Sequence, residues 1–506
     1  MSIESTMDSL REWIDAYLPH GSLRRRLVRG TFWSTVGTLV AQGLGLVASV
    51  LVVRMLGREP FGEFSMIRST VMMFGVFAGL SLGMTTTKYV AEYRQADRDR
   101  AGRVIGMSAT VSFCSASVIA LVLLVFAPYL AARTMNAPHL VPELRIGCLT
   151  LLFEALNGVQ LGTLAGFESF RTIAWTSFLR GILNFPLMIV GVYYGGLRGA
   201  VWALAASAAA GWVINHVALR SLVRRENVHV AFRNVRSELP ILWHFALPAL
   251  ISGAMVVPVV WAANAIVANT EHGYDSLGVF NAANQWQLPI TLLASQIGAI
   301  LLPMLSSFSL DVKGRAKEEV IQNATCFALM LVVLPTVAFL SCFSGTVIAF
   351  YGRNLVEYPG ARAVLLAVLF VGGLKAFGTI AGSAIASRGA MWSAFAINSS
   401  WAALLLILVY SWTSFGPEGL ANAFSAAYGM LTVLGLVYCG IMGYCSWGVI
   451  RRIWFAGACV GVFSYGMGYV DLFIVRFLGF LAATAVALGS GYLAWRNYGK
   501  RARTVN

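Results

Sequence analysis

Nearly the whole chain divides into apolar runs of roughly 18–29 residues, each about what one helix needs to cross a ~30 Å hydrocarbon core. Lipid offers no partner to backbone N–H and C=O groups, so only helices or closed barrels can span it. A barrel would read as alternating segments of about ten residues, a pattern the sequence does not carry. With 58% hydrophobic and 12% charged residues, against about 25% charged in soluble domains, the chain cannot cover itself with polar surface in water. The expected fold is an all-α integral membrane protein of about 14 transmembrane helices. The spans fall at residues 31–53, 64–87, 104–132, 144–167, 172–194, 198–219, 241–268, 278–304, 322–350, 361–386, 391–411, 418–439, 453–470 and 473–495.

Residues 1–30 lack a short apolar core with a small-residue cleavage site, so no cleavable signal is expected. They read as a cytoplasmic segment whose Leu10, Trp13, Ile14, Tyr17 and Leu18 share one helical face, with Ser9 and Glu12 spaced as a capping box.

The net charge of +15 would suggest nucleic acid until the charges are placed along the spans. With the N-terminus inside, 26 of the 37 Lys and Arg fall on the cytoplasmic side and seven on the outer side. Such a bias orients the protein, and it favours an even number of spans with both termini in the cytoplasm. No nucleic-acid partner is expected. The seven cysteines lie in or beside spans, form no C-x-x-C pair and are odd in number, which argues for packing rather than disulfides or metal.

Two short patterns recur at one offset. Pro60-Phe61-Gly62-Glu63-Phe64 is matched 216 residues later by Ser276-Leu277-Gly278-Val279-Phe280, and Gly162-Thr163-Leu164-Ala165-Gly166 by Gly378-Thr379-Ile380-Ala381-Gly382. Six spans separate the copies, and an even number preserves orientation. The repeat therefore relates two six-helix lobes about an axis along the membrane normal. The expected units are a cytoplasmic segment 1–30, an N-lobe 31–223, a C-lobe 224–448, two C-terminal spans in 449–495 and a cytoplasmic tail 496–506.

Four ionisable residues sit inside spans: Arg68, Glu154, Arg180 and Lys375. A charge at a helix centre costs about 2.5–3.5 kcal/mol even on mild insertion scales, so each should face protein or water. Arg68 shares its face with Gly75, Gly79 and Gly83; Glu154 with Thr150, Gly158, Gly162 and Gly166; Arg180 with Thr176 and Asn184; Lys375 with Gly378, Thr379 and Gly382. None of these faces suits lipid, and glycine faces let helices approach closely. The charges sum to +2, which suits an anionic substrate, and Arg offers phosphate a fork of donors. Arg68, Arg180 and Lys375 are the candidate substrate ligands. Glu154 is a candidate coupling group or the structural partner of an arginine. Asn184, Asn264 and Asn284 are candidate cavity-lining residues; Asn281 and Gln285 fit the same role, with helix–helix hydrogen bonding as the alternative for these amides. His216 and His244, near cytoplasmic span ends, read as interfacial packing. Asp471 and Arg476 lie near the outer end of the last span, where Arg476 reads as snorkelling or paired.

No P-loop and no metal-ligand spacing appears in the sequence, and the outer loops are short. No catalytic residue, cofactor or metal is therefore expected. The chain reads as a transporter rather than an enzyme, driven by an ion gradient, the membrane potential or the gradient of its own substrate.

Several motifs, in order, resemble those of one family. Arg54-Met55-Leu56-Gly57-Arg58-Glu59-Pro60-Phe61-Gly62-Glu63-Phe64 resembles the R-x-L-G-x-x-x-[FY]-G-x-[FY] signature of Wzx-type polysaccharide/O-antigen flippases. Gly79-Leu80-Ser81-Leu82-Gly83 leading to Lys88-Tyr89-Val90-Ala91-Glu92-Tyr93, then Gly166–Arg171, Leu247–Leu250, Phe343–Gly352 and Tyr358–Ala361, extend the resemblance over about three-fifths of the chain. It implies the multidrug/oligosaccharidyl-lipid/polysaccharide exporter superfamily. It also implies a bacterial inner-membrane protein that flips a polyprenyl-pyrophosphate glycolipid to the outer leaflet, with membrane lipids and other polysaccharide-assembly proteins as partners. An ion-coupled multidrug antiporter of the same superfamily is the alternative, although span 1 lacks the Asp or Glu such antiporters often carry there. A lipid II flippase fits the signature of spans 1 and 2 less well. A membrane glycosyltransferase or polymerase would need catalytic groups on an outer loop, where the first loop offers only Glu59, with Glu63 at its edge.

Overall fold

The computed structural model describes residues 23–232, 238–247, 250, 255–292, 294–295, 312–466, 478–482, 484–486 and 489. The amphipathic segment expected before residue 23, the side chain of His244, Asp471 with Arg476, and most of the last span lie outside the described residues. The described residues are helical with short connections, and nine of their helices are long and apolar enough to cross a membrane.

In the first half, α1 is Leu23–Leu56, α2 Arg58–Gly79, α3 Leu82–Ala96, α4 Arg98–Tyr129, α5 Val141–Gly166 and α6 Phe170–Arg225. α6 carries two crossings, because Gly196 breaks its helical geometry at φ 54 and ψ −133. The two arms fold back on each other: a Cβ at Gly191 would meet the Gly199 carbonyl oxygen at 2.5 Å, and one at Gly199 would meet that of Gly191 at 1.8 Å. In the second half, α7 is Val256–Ala268, α8 Gly273–Asn284, α9 Val312–Cys342, α10 Ala361–Ser387, α11 Met391–Ser411, α12 Gly416–Ile441 and α13 Trp447–Gly461.

The second span expected from the sequence is not one helix. Leu80 (φ 45) and Ser81 (φ 52) both adopt the left-handed conformation and separate α2 from α3. The bend sets Gly83 against α5, where its Cβ would lie 2.7 Å from the Gly158 carbonyl oxygen; a Cβ on Gly162 would lie 2.1 Å from that of Gly83. The glycine stripe read on Glu154's helix is thus a helix crossing without side chains between the backbones. α1 crosses the first arm of α6 in the same way, Gly37 on Ala174 and Gly181 on Ala41.

The lobes meet where the repeat begins. α2 crosses α8 so closely that a Cβ on Gly62 would fall 1.9 Å from the Tyr274 carbonyl oxygen, and one on Gly278 would fall 2.0 Å from that of Arg58. Polar contacts surround this crossing at the end the sequence assigns to the outside. Arg58 Nε pairs with Asp275 Oδ1 at 3.0 Å. The Tyr274 hydroxyl donates to the Met135 carbonyl at 2.7 Å, Asn269 Nδ2 to that of Thr134 at 2.6 Å, and Asn354 Nδ2 to that of Val53 at 3.0 Å. The Arg58 guanidinium also lies 5.3 Å from the Tyr358 ring centroid. Burial, with Asp275 and Glu418 adding to it against Arg58, pushes the Tyr358 hydroxyl above its usual range, so a neutral phenol faces the cation. One apolar cluster runs through this seam, from Phe61, Phe64 and Ile67 to Leu277 and Phe280.

At the opposite end the inter-lobe linker is fastened to the start of α4. Glu238, 3% exposed, receives Arg100 at 3.2 Å and Arg103 at 3.3 Å, while Gly102 and Gly106 admit the backbone of His229 and Ala231. His216 stacks on Trp212, one turn earlier on the same helix, with ring centroids 5.4 Å apart. Cys114, Cys148, Cys326, Cys439 and Cys459 are free thiols.

Candidate functional site: a cationic cavity in the first lobe

A cavity of about 1020 Å³ opens among α1, α2, α5 and α6, with Leu250, Val257, Gln285 and Leu288 also on its wall, and among the described residues the only charged ones lining it are Arg68, Glu154 and Arg180. Each arrives by helical spacing. Ser65, Arg68, Met72, Gly75 and Gly79 fall three or four apart on α2 and form one wall. A Cβ at Gly75 or Gly79 would have no neighbour within 4 Å. These two glycines therefore leave room in the cavity, whereas Gly83 makes a helix contact. Arg68 is enclosed by protein yet exposed to the cavity. The residues beside it are tied to the other lobe: Trp261 Nε1 donates to Thr70 Oγ1 at 3.0 Å, and Asn264 Nδ2 to Ser69 Oγ at 3.4 Å.

Glu154 on α5 accepts a direct hydrogen bond from Arg180 Nη2 on α6. The pair is partly exposed, 43% of the Glu154 and 33% of the Arg180 side chain being accessible. The Arg180 stem lies along the second arm of α6, its Cδ and Nε each 3.2 Å from where a Gly211 Cβ would be. Behind it, Asn157 Nδ2 donates to the Ala208 carbonyl at 3.1 Å, and Asn215 Nδ2 to Asn157 Oδ1 at 3.1 Å. Buried amides thus fix the α5–α6 spacing that brings carboxylate to guanidinium. With Glu154 neutralising one arginine, the three cavity charges leave a net +1.

Lys375 stands apart from them. It lines a second cavity of about 240 Å³ among α10, α11 and α12. Its Nζ donates to Gln287 Oε1 at 2.9 Å and lies 4.6 Å from the Tyr428 ring centroid, partners that stabilise an ammonium without a carboxylate. Gly378 and Gly382, on its face, border the same space. The 3-10 turn Gln285–Gln287 after α8 stands between the two cavities, with Gln285 on the larger one and Gln287 holding Lys375.

Of the amides singled out in the sequence, Asn184 and Gln285 line the larger cavity. Asn264 is buried in the α7–α2 contact, Asn281 Nδ2 donates within its own helix to the Leu277 carbonyl, and Asn284 is half-buried at the last position of α8. The polar wall on α1, Gln42, Gly45 and Ser49, was not singled out by sequence reasoning. Its signal was present as polar or small residues three and four apart inside a span. Ser177, one position along α6 from Thr176, belongs to the lining as well.

A two-lobed bundle of membrane-crossing helices around a charged cavity defines a membrane transporter fold. Residues 27–309 match the family model described as "Polysaccharide biosynthesis protein", and the chain belongs to that family. Among its relatives, the "Lipid III flippase" of Escherichia coli (strain K12) is 23% identical over 316 residues, 62% of this chain and 73% of that protein. The "EPS I polysaccharide export inner membrane protein EpsE" of Ralstonia nicotianae is 22% identical over 399 residues, 78% of this chain and 89% of that protein. Among solved structures, the inward-facing conformation of a multidrug resistance MATE family transporter of the MOP superfamily superposes with a TM-score of 0.65. It is 18% identical and covers 81% of this chain and 96% of its own, a likeness of fold.

Proposed function

We propose that the protein is a flippase that carries a polyprenyl-pyrophosphate-linked oligosaccharide from the inner to the outer leaflet of the bacterial inner membrane, for surface polysaccharide synthesis. Membership of the polysaccharide biosynthesis family and the names of the two relatives support the pathway. The observation that carries the cargo class is the presence of both Arg68 and Arg180 on the lining of one cavity. Guanidinium groups bind phosphate oxygens through two parallel N–H donors, and a water-filled cavity between helices is where a membrane protein can hold them. The headgroup reaches the cavity from the cytoplasmic side while the lipid tail stays in the bilayer, and the lobes then rock to open outward. Both termini stay in the cytoplasm, and other assembly proteins receive the flipped lipid. No covalent chemistry is required of the protein.

The geometry disfavours a cation antiporter. Such a protein needs a carboxylate to hold the cation, and the one carboxylate lining this cavity among the described residues is outnumbered there by two arginines. The test is deletion of the gene followed by analysis of lipid extracts. Lipid-linked oligosaccharide accumulating on the cytoplasmic leaflet is the expected result. Unchanged glycolipid with new sensitivity to cationic drugs would overturn the proposal.

A further inference from the structure

We infer that Glu154 is a resident counter-ion: it occupies Arg180 in the empty cavity and is displaced when a phosphate of the headgroup takes its place. The inference rests on the anionic cargo proposed above, and it assigns to Glu154 a part in release rather than in binding.

Three observations carry it. Glu154 and Arg180 come from different helices and meet on the lining of the cavity, and both side chains remain partly exposed there. The cavity's other cation, Arg68, feels the Glu154 charge but makes no direct ion pair with a carboxylate among the described residues, so the carboxylate covers the donors of Arg180 and leaves those of Arg68 open. Finally, the α5–α6 spacing does not depend on the ion pair. Asn157 ties α5 to the second arm of α6 through Ala208 and Asn215, and the glycine crossings fix the rest. A partly exposed ion pair contributes little to stability, whereas a carboxylate placed on a phosphate-binding guanidinium competes directly for its donors.

The physical role follows from what a transporter requires. A site with two uncompensated arginines would hold a pyrophosphate tightly in both states of the cycle, and release would limit turnover. An internal carboxylate that rebinds Arg180 as the phosphate leaves supplies hydrogen bonds the guanidinium would otherwise lose, so the leaving step is not opposed by a bare charge in a membrane interior. Only interactions that differ between states change the balance between them. Glu154 acts through Arg180 and is in this sense a positioning residue.

The test measures binding and flipping separately on the purified full chain. The probe is a short-chain prenyl-pyrophosphoryl sugar, in detergent for binding and in proteoliposomes for flipping. Glu154→Gln is expected to bind the probe about tenfold more tightly than the native protein, the size of one charge-assisted hydrogen bond no longer contested, and to flip it more slowly. Loss of a purely structural residue would instead weaken binding and flipping together. Glu154→Ala carries the same expectation should the amide variant fail to fold. Equal or weaker binding by a folded variant, while the native protein binds, overturns the role of Glu154 and leaves the flippase reading standing. Failure of the native protein to bind any prenyl-pyrophosphoryl probe overturns both.

Discussion

Gly62 and Gly278 occupy each other's crossing point: each takes the place where a side chain would strike a backbone carbonyl four residues before its partner, Tyr274 for one and Arg58 for the other. Both the glycines and the carbonyls are 216 positions apart, so the contact is reciprocal about a pseudo-two-fold axis between the lobes. Gly62→Ala and Gly278→Ala should therefore have matching effects. Overpacking of a tight contact costs about 1–3 kcal/mol, and both variants should lower the melting temperature and export. The double variant should cost less than the sum of the two, because the first alanine already separates the helices. Thermal unfolding of the single and double variants in detergent checks this.

A ring of polar contacts surrounds that crossing, at the end that the sequence assigns to the outside. Arg58 and Asp275, half-buried, form its one ion pair across the lobes among the described residues, worth about 0.2–1 kcal/mol. Arg58→Ala and Asp275→Ala should each raise the rate at which an impermeant thiol reagent, added outside, reaches a cysteine placed at Ser65 in a cysteine-free background. The exchange Arg58→Asp with Asp275→Arg should restore protection.

The separation of Lys375 from the two arginines divides effects that the sequence would group together. Arg68→Ala and Arg180→Ala should each weaken binding of a prenyl-pyrophosphoryl sugar by about tenfold or more. Lys375→Ala should leave that affinity within about twofold, since Lys375 holds Gln287 and faces Tyr428 in another cavity. Calorimetry or fluorescence titration on the three purified variants distinguishes the sites.

Gly57 joins α1 to α2 at φ 88 and ψ 176, a conformation that side chains rarely adopt, although a Cβ there would touch nothing within 4 Å. The cost of Gly57→Ala is therefore purely one of backbone conformation, about 1–3 kcal/mol. Its stability should fall without any change in probe affinity, as measured by unfolding and binding on one preparation.

Much of this was legible in the sequence because lipid enforces it. Span lengths do not depend on tertiary detail, and the 216-residue offset marked the crossing where the lobes meet. The faces of Arg68, Glu154 and Arg180 followed from helical spacing alone. What escaped was whatever depends on the third dimension. The glycines beside Arg68 read as a helix contact, yet only Gly83 makes one, because the left-handed Leu80–Ser81 pair turns the chain between Gly79 and Gly83. Two consecutive non-glycine residues in that conformation have no local sequence signal, as tertiary packing holds them there. Lys375 shares its chemistry with the arginines but not their cavity. Asn264 and Asn284 had the polarity of cavity residues, but polarity does not say whether a helix face meets water or another helix.

The central claim is that this two-lobed bundle moves an anionic lipid headgroup through a cavity governed by Arg68 and Arg180. The most direct measurement is reconstitution of the purified protein into vesicles carrying a fluorescent prenyl-pyrophosphoryl sugar, with the outer-leaflet fraction followed by an impermeant quencher. The native protein should exchange the lipid between leaflets far faster than protein-free vesicles, and Arg68→Ala and Arg180→Ala should fall to the protein-free rate while remaining folded. Equal rates with and without protein, or full activity in both arginine variants, would contradict the account.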